Sequence, residues 1–390
     1  MAATLPGRTF GISLITTRLL EDFNGLTETR FAWINFIAAI IGGAACLPAG
    51  LLLDRFGVRR VLAVVMLALA GSVYLMTLST SIAQLAITLT LTRAIGQSML
   101  SVISLAMLGK WFGRGAGLSM GAYAVVMTML LATGVGLLGL QVSVTDDWRA
   151  AWSGLAWVLL GLVPVVLITA LRPRARTKTH EDDTARYYKE GATLGQALST
   201  RCFWVFALAM GLFALASSGA TLFLQPILAE RGISEQVYQA TLIVGLSTGL
   251  VANLVGGGLI KRVPMNRLLA IAMLLLALAL IGLALLDRPA LAYAQAAVMG
   301  LSGGLITVLF FAVWVRAFGT QSLGKIQGCA QLISVIGSAL GPLVIAKGRE
   351  TTDSHHPALI TLAVAAALIS ILAAATTVPR REWFKQATVV

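Results

Sequence analysis

Residues 50–60 read Gly-Leu-Leu-Leu-Asp-Arg-Phe-Gly-Val-Arg-Arg, a short charged stretch that separates two long apolar ones. Residues 31–53 carry no charged side chain, and neither do residues 61–92. A membrane-spanning helix needs about 20 consecutive apolar residues, so both flanking stretches are long enough to cross a bilayer. We therefore interpret residues 50–60, the first hinge, as a turn at the membrane surface between two spanning helices.

Composition places the whole chain in the membrane class. Its 390 residues are 58% hydrophobic and 12% charged, with a mean hydropathy of +0.87, whereas a soluble domain has about 25% charged residues. Strands of a membrane barrel would alternate apolar and polar residues, which these sequences do not do. The charge-free stretches comprise residues 31–53, 61–92, 115–145, 150–171, 202–229, 236–260, 268–286, 289–315, 326–346 and 357–379. Residues 61–109, interrupted only by Arg93 and a polar Ser-Thr-Ser turn at 79–81, contain two spans, so about eleven membrane helices of an all-α protein are predicted.

The distribution of charge predicts the orientation of the chain in the membrane. If the first hinge is cytoplasmic, the loops on that side and the C-terminal tail hold 20 Lys and Arg against 6 Asp and Glu, while the opposite loops hold 7 against 10. This is the positive-inside pattern, and it favours anionic lipids on the cytoplasmic side. The net charge of +13 does not indicate nucleic acid binding, because no basic patch is interleaved with aromatic residues.

The two halves of the sequence are related. Residues 257–267, the second hinge, read Gly-Gly-Leu-Ile-Lys-Arg-Val-Pro-Met-Asn-Arg and repeat the first hinge after 207 residues, with the first of its two glycines and two of its three arginines retained. The pair Phe-Gly at 112–113 recurs at 318–319, after 206 residues. Two repeats at nearly the same offset predict two halves of similar structure.

The spacing G-x-x-x-D-R-x-G-x-R-R of the first hinge resembles the loop signature of the major facilitator superfamily of transporters, which lies between their second and third membrane helices. The resemblance implies two six-helix bundles related by a pseudo-two-fold axis normal to the membrane. It predicts an N-terminal bundle over residues 1–171, a cytoplasmic linker over 172–201 with a short helix near 193–200, a C-terminal bundle over 202–378, and a cytoplasmic tail over 379–390.

The first helix is expected to be short. Residues 1–20 form a weakly apolar run that Arg8 and Arg18 interrupt. We expect residues 1–17 to be the outer part of helix one, with residues 6–9 inside it, and the recorded start to omit the rest. Reading the upstream genomic DNA for an in-frame apolar extension tests this expectation.

The first hinge also carries the residues of a predicted gate. Gly57 permits a tight turn and Gly50 a close helix approach, while charged side chains at helix ends interact with helix dipoles. The resemblance implies that Asp54 stabilises the outward-open state through the second half; the alternative is a loop that merely obeys the positive-inside rule. The predicted gating residues are Gly50, Asp54, Arg55, Gly57, Arg59, Arg60 and Arg262.

Arg93 is predicted to lie near the middle of the membrane. It stands about ten residues into a helix that begins near Ala83, hence roughly 15 Å deep. Arginine keeps its proton in proteins, and a buried cation normally faces a cavity or a partner. Gln97 continues the same helical face. The alternative is an arginine buried against the backbone carbonyls of a neighbouring helix. The resembled family often places an arginine in this helix.

The charge of the transport path favours an anionic substrate. No predicted span interior contains Asp, Glu or His, and His180, His355 and His356 are predicted to be solvated loop residues. A proton-driven exporter of cationic drugs usually needs a buried carboxylate. The chain therefore resembles bacterial monocarboxylate or organic-anion members of the family. With helices one, four, seven and ten lining the cavity, as the resemblance implies, the predicted substrate-binding residues are Arg93, Gln97, Arg8, Ser217, Thr221, Ser302 and Thr307.

These observations predict a secondary active transporter that works by rocker-switch alternating access. We expect a monomeric symporter or antiporter of the bacterial cytoplasmic membrane, with protons as a candidate coupling ion. No nucleophile elbow, metal-ligand cluster or phosphate loop is evident, so neither catalysis nor a cofactor is predicted. One alternative is a proton-coupled exporter of drugs or cations, in which an acid such as Asp22 or Glu21 faces the cavity. The other is a transport-inactive membrane sensor.

Overall fold

Helices form almost all of the described chain. The computed structural model describes residues 2–45, 52, 56, 58–101, 103–104, 116–169, 192–260, 262–319 and 322–378. Within these residues the chain forms helices joined by short turns, without a β-strand. The predicted all-α class is confirmed.

The N-terminal residues form three short helices rather than part of one long helix. A 3-10 helix spans Ala2–Gly7, α1 spans Thr9–Ser13 and α2 spans Thr16–Asp22. The chain is extended at Arg8, with φ −89° and ψ 153°, so the prediction that residues 6–9 lie inside a single helix is wrong. The proline and glycine just before this break both disfavour helix propagation.

The other elements are mostly long helices. A π-helix, Arg93–Met99, directly follows α5 and continues its path. The α-helices are α3 Glu28–Ala44, α4 Val58–Thr77, α5 Ile82–Thr92, α6 Ala116–Thr145, α7 Trp148–Thr169, α8 Leu194–Leu198, α9 Arg201–Leu222, α10 Leu224–Ala229, α11 Glu235–Leu259, α12 Met265–Ala284, α13 Pro289–Phe318, α14 Leu323–Thr352 and α15 His356–Ala374.

Within the described ranges, nine helices are long and apolar enough to cross a membrane, namely α4, α6, α7, α9 and α11 to α15. Large apolar side chains are exposed on their surfaces, among them Trp157, Leu368 and Ile371. Exposed apolar surface on helices of this length is what a lipid environment requires. The chain is an integral, multi-pass membrane protein.

Polar side chains cap the N-termini of several helices. The hydroxyls of Thr27 and Ser81 each accept a hydrogen bond from the backbone N–H three residues later, at the starts of α3 and α5. Thr193 and Gln196 form a reciprocal capping box that begins α8. Such caps satisfy N–H groups that have no partner within the helix. The predicted short helix near residues 193–200 is confirmed.

Two helices differ from the predicted lengths. The predicted span over residues 202–229 divides into α9 and α10 at Phe223. Pro226 explains the break, because its ring clashes with the carbonyl group four residues earlier, at Leu222. α14 continues to Thr352, well beyond the predicted end at residue 346. Its additional turns carry charged side chains that the sequence placed in a loop.

The chain divides into two compact units. The first comprises Met1–Ala175, Ser218–Ser247 and Ala339–His355, and the second comprises Arg176–Ser217, Thr248–Ser338 and His356–Val390. Each unit contains segments from both halves of the sequence. The bundle and linker boundaries at 171, 201 and 378 stay predictions.

Glycines allow helices to meet backbone to backbone within each unit. In the first unit, a Cβ atom at Gly219 of α9 would lie 2.5 Å from the carbonyl oxygen of Gly341 in α14. In the second unit, a Cβ atom at Gly337 of α14 would lie 2.3 Å from the carbonyl oxygen of Gly211 in α9. Side chains at these positions would separate the helices, so glycine is required for the observed packing.

Candidate functional site

Arg93 begins the π-helix and is almost completely buried. It lies about 16 Å along the helix from Ile82, the first residue of α5. Only 5% of the residue is exposed. Arginine cannot lose its proton in a protein, so a permanent positive charge lies inside the first unit. π-Helical turns are rare and are frequent at functional sites.

Two amide side chains contact the guanidinium group of Arg93. Its Nη2 donates a hydrogen bond to Oδ1 of Asn35 at 2.7 Å, and its Nη1 donates to Oε1 of Gln97 at 3.4 Å. The Nδ2 atom of Asn35 donates to the carbonyl oxygen of Phe31 at 2.9 Å, which turns the amide oxygen towards Arg93. The predicted pairing of Arg93 with Gln97 on one helical face is therefore present.

Arg93 has no acidic partner in the described part of the chain. None of the ion pairs found there includes it, and its Nε atom has no hydrogen-bond partner there. Amide oxygens carry no full charge and therefore offset only part of the cost of burying a cation. Asn35 is a residue of this site that was not predicted from the sequence, although an asparagine inside the charge-free residues 31–53 is a recognisable signal.

The N-terminal 3-10 helix packs closely against the element that carries Arg93. A Cβ atom at Gly7 would lie 2.7 Å from the carbonyl oxygen of Thr92 and 2.8 Å from the backbone nitrogen of Gln97. Arg8 follows this contact directly. Its side chain is half-buried, and its Nε donates to the hydroxyl of Thr4 at 2.7 Å. The contact brings the N-terminus to the predicted site.

The other predicted substrate-binding residues are distributed over both units. Thr221 is half-buried in α9 and belongs to the first unit. Ser217, also half-buried, belongs to the second unit together with Thr307, which is exposed and donates to a carbonyl of its own helix. Ser302 is fully buried, and its hydroxyl donates to the carbonyl of Ala272 at 2.8 Å. That bond links α13 to α12.

Most of the predicted gate lies outside the described residues, namely Gly50, Asp54, Arg55 and Gly57. Arg59 and Arg60 lie in the first turn of α4, and Arg60 is exposed. Arg262 in the second hinge is also exposed. Arg316 was not predicted from the sequence; its Nη1 donates to the carbonyl oxygen of Ile260 at 2.8 Å and so links α13 to the second hinge.

Asp22, proposed as a cargo-binding acid in the alternative reading, is ion-paired. It accepts hydrogen bonds from the guanidinium of Arg149 and from Nε1 of Trp148, the latter at 3.1 Å. Arg149 also donates to the carbonyl oxygens of Thr77 and Ser79, each at 3.1 Å. This network joins the ends of α2 and α4 to the start of α7, which is a structural role.

The prediction that His355 is solvated is wrong, because only 2% of its side chain is exposed. Its Nδ1 lies 3.0 Å from Oε2 of Glu230, and its Nε2 lies 3.2 Å from Oε2 of Glu28. Burial lowers the pKa of His355, but the hydrogen bonds and charges of the two carboxylates outweigh burial and raise that pKa above its ordinary value. The added length of α14 places His355 between them.

The family profile described as Major Facilitator Superfamily matches residues 2–342. The chain belongs to the Major Facilitator Superfamily. This membership agrees with the resemblance of the first hinge to the loop signature of the family. Among the described residues, no group of three or more His, Cys, Asp or Glu side chains could hold a metal ion. A search of curated proteins finds no significant match.

Two solved structures have a similar fold, and both are crystal structures of a bacterial homologue of the human lysosomal transporter Spinster. The inward-facing, occupied form has a TM-score of 0.70 and 16% sequence identity, over 96% of this chain and 93% of that chain. The inward-facing, unoccupied form has a TM-score of 0.67 and 15% identity, over the same shares of the two chains. At these identities the likeness establishes the fold of this major facilitator protein.

We expect Asn35→Leu to weaken substrate binding by this transporter about tenfold or more. A buried hydrogen bond to a charged group contributes about 1.5–3 kcal/mol, and here it also orients Arg93. With an anionic substrate, Asn35→Asp should have the larger effect, because its carboxylate would occupy the guanidinium. The apparent KM in proteoliposomes measures both effects. Asn24→Leu, at an exposed asparagine, is the control, and an unchanged KM in Asn35→Leu would contradict the prediction.

Proposed function

We propose that this protein is a secondary active transporter of a small organic anion, such as a monocarboxylate, and that Arg93 binds the anionic group. The observation that carries the proposal is a buried, permanently charged guanidinium whose hydrogen-bond partners among the described residues are the neutral amides of Asn35 and Gln97. An anionic substrate would supply the missing negative charge. A bidentate contact between a guanidinium and a carboxylate is among the strongest polar interactions in proteins.

Three acids of the first unit, Asp22, Asp146 and Glu235, already have ionic partners, which supports an anion rather than a cation as cargo. Arg18 pairs with Glu235 at 2.8 Å and with Asp146 at 3.0 Å, and Asp22 pairs with Arg149. A carboxylate that already has an ionic partner is poorly suited to attract a cationic substrate. Arg93, a charged side chain buried in the described part of the chain, is better suited to bind a substrate, and its charge selects an anion.

We further propose that transport proceeds by alternating access. The repeated hinges, which predict two related halves, support this mechanism, and the gating residues of the first hinge would regulate its cytoplasmic side. The excess of Lys and Arg in the hinge-side loops supports a cytoplasmic linker and C-terminus in a bacterial inner membrane with anionic lipids. The proposed transporter works as a monomer.

Uptake into proteoliposomes tests the proposed substrate class. The panel contains short radiolabelled monocarboxylates, their neutral amides and quaternary ammonium cations of matched size, each with and without a pH gradient. We expect saturable uptake of at least one carboxylate and none of its amide, because the amide lacks the charge that Arg93 requires. Uptake of the cations alone would refute the proposal and favour a drug or cation exporter.

A further inference from the structure

A buried histidine lies between two carboxylates and an arginine at one end of the first unit. Glu28 begins α3, Glu230 follows α10, and Arg349 lies in the last turns of α14, just before His355. The side-chain exposures of Glu28, Glu230 and Arg349 are 12%, 32% and 39%, against 2% for His355. We call these four residues the His355 cluster. It lies at the end of α3 opposite the first hinge.

The geometry of the His355 cluster requires a second proton on the imidazole. A neutral imidazole has one N–H donor and one acceptor nitrogen, whereas carboxylate oxygens only accept hydrogen bonds. Both ring nitrogens of His355 lie within hydrogen-bond distance of a carboxylate oxygen, at 3.0 Å from Glu230 and at 3.2 Å from Glu28. In a neutral His355, the ring nitrogen without a proton would face a carboxylate oxygen, so that two hydrogen-bond acceptors would meet at one contact.

Charge balance leads to the same requirement. Arg349 pairs with Glu28, and its Nη2 lies 3.2 Å from Oε1 of Glu230. Two carboxylates and one guanidinium leave one negative charge, which a protonated His355 neutralises. A buried group of charges is stable only when it is balanced and its hydrogen bonds are satisfied.

The other charged residues near the His355 cluster do not neutralise its remaining negative charge in place of the proton. Lys347 and Glu350 pair with each other at 3.0 Å on α14, and Glu350 also accepts a hydrogen bond from Thr29. Phe223, whose ring centroid is 6.5 Å from that of His355, covers the imidazole without a charge. The remaining charged or titratable residues on the adjoining segments are Arg30, which donates a hydrogen bond to the carbonyl oxygen of Gly25, together with Arg231, Asp353 and His356.

We propose that the His355 cluster is a proton-binding site that holds this end of the transporter closed. A proton on His355 joins α3 to α10 and α14, and its loss leaves an unbalanced negative charge that separates them. With the first hinge in the cytoplasm, the cluster faces the outside, so external acidity stabilises closure on that side. The proton is a ligand of this site, distinct from the anion at Arg93.

The direction of the pH effect follows from linkage. In the separated state His355 is solvated and titrates near its ordinary pKa of about 6.5. In the joined state its pKa is raised, so the joined state binds the proton more tightly. Closure is therefore fully supported below about pH 6.5 and is lost as the pH rises through the raised pKa. The ratio of joined to separated molecules changes about tenfold for each pKa unit between the two states.

Nuclear magnetic resonance of the histidine side chains tests the bound proton directly. The chain has 3 histidines, so ¹⁵N-labelled protein in nanodiscs gives few signals, and His355→Gln assigns the one of interest. We expect His355 to remain doubly protonated above about pH 6.5, the ordinary imidazole value. Loss of its second proton at or below about pH 6.5 would overturn the proposal.

Distances between spin labels test closure. Labels at Asn24→Cys and Thr351→Cys, both exposed and both in the first unit, are introduced after the three native cysteines are replaced. Between about pH 5.5 and 8.5 we expect the ratio of short-distance to long-distance molecules to fall, by about tenfold for each unit by which closure raises the pKa of His355. His355→Gln should give the long distance throughout, whereas His356→Gln should behave as the unmodified chain does.

A double variant separates charge balance from a general loss of packing. Glu28→Gln with His355→Gln leaves Glu230 and Arg349 as a neutral pair, so we expect the short distance to return without pH dependence. A pH response that persists in His355→Gln, or no response in the unmodified chain, would refute the site. The effect of the His355 cluster on transport rests on the proposed function. The resonance and spin-label measurements need no substrate, so the proton site can fail while the proposed function stands, and the reverse.

Discussion

Arg93→Ala is expected to abolish measurable uptake of the proposed anionic substrate while the protein still inserts into the membrane. Removing one member of a buried, hydrogen-bonded charge pair costs about 2–4 kcal/mol, which corresponds to roughly a 30- to 1000-fold loss of affinity. Arg93→Lys should retain part of the activity, because it keeps the charge but loses the planar, bidentate geometry. Initial rates of carboxylate uptake in proteoliposomes measure both changes.

The matched control for Arg93 is Arg288→Gln, which removes a positive charge from a side chain that is 77% exposed. Its uptake should be unchanged, because exposed charges contribute little to binding at a distance. Equal loss of uptake in both variants would indicate a general effect of charge on the protein. Normal uptake by Arg93→Ala would show that the guanidinium is a packing element and that the substrate binds elsewhere.

Gly304→Ala is expected to destabilise the second unit severely. A Cβ atom at this position in α13 would lie 2.3 Å from the carbonyl oxygen of Gly249, 2.6 Å from Cβ of Ala252 and 2.8 Å from the backbone nitrogen of Asn253. All three contacts belong to α11, and two of them are with backbone atoms that no rotamer change can move. Overpacking of this kind costs about 1–3 kcal/mol and more when the backbone must shift.

Thermal unfolding in detergent and the yield of monodisperse protein measure this effect. Gly257→Ala is the matched control, because it places the same methyl group on α11 where no atom lies within 4 Å. We expect Gly257→Ala to unfold at or slightly above the temperature of the unmodified chain, since alanine favours a helix more than glycine does. A melting temperature for Gly304→Ala equal to that of the control would show that α11 and α13 do not pack closely at this point.

The fold class was predictable because it depends on features that are local in sequence. Runs of apolar residues near 20 in length specify spanning helices, and the spacing of the first hinge identified the superfamily that the profile match over residues 2–342 confirms. Helix ends were less predictable. The break before α10 follows from Pro226, but the last turns of α14 contain Lys347, Arg349 and Glu350, which sequence reasoning assigns to a loop.

The candidate site was predictable only in part. The position and depth of Arg93 follow from helical periodicity, and so does its contact with Gln97, four residues later. Asn35 is 58 positions away from Arg93 in the chain, and no local pattern can establish such a contact. The π-helix and the burial of His355 likewise depend on packing between distant segments, which a single sequence does not encode in any readable spacing.

The two glycine pairs between α9 and α14 have a mechanical consequence. Where Gly219 meets Gly341 and Gly211 meets Gly337, the main chains approach closely, and the side chains of Ile345 and Ile333 on α14 lie beside these contacts. Because the glycines have no Cβ atom, a small pivot of one helix over the other meets no side chain of the glycine residues themselves. A larger side chain at Gly211, Gly219 or Gly337 would force the two helices apart and obstruct this pivot.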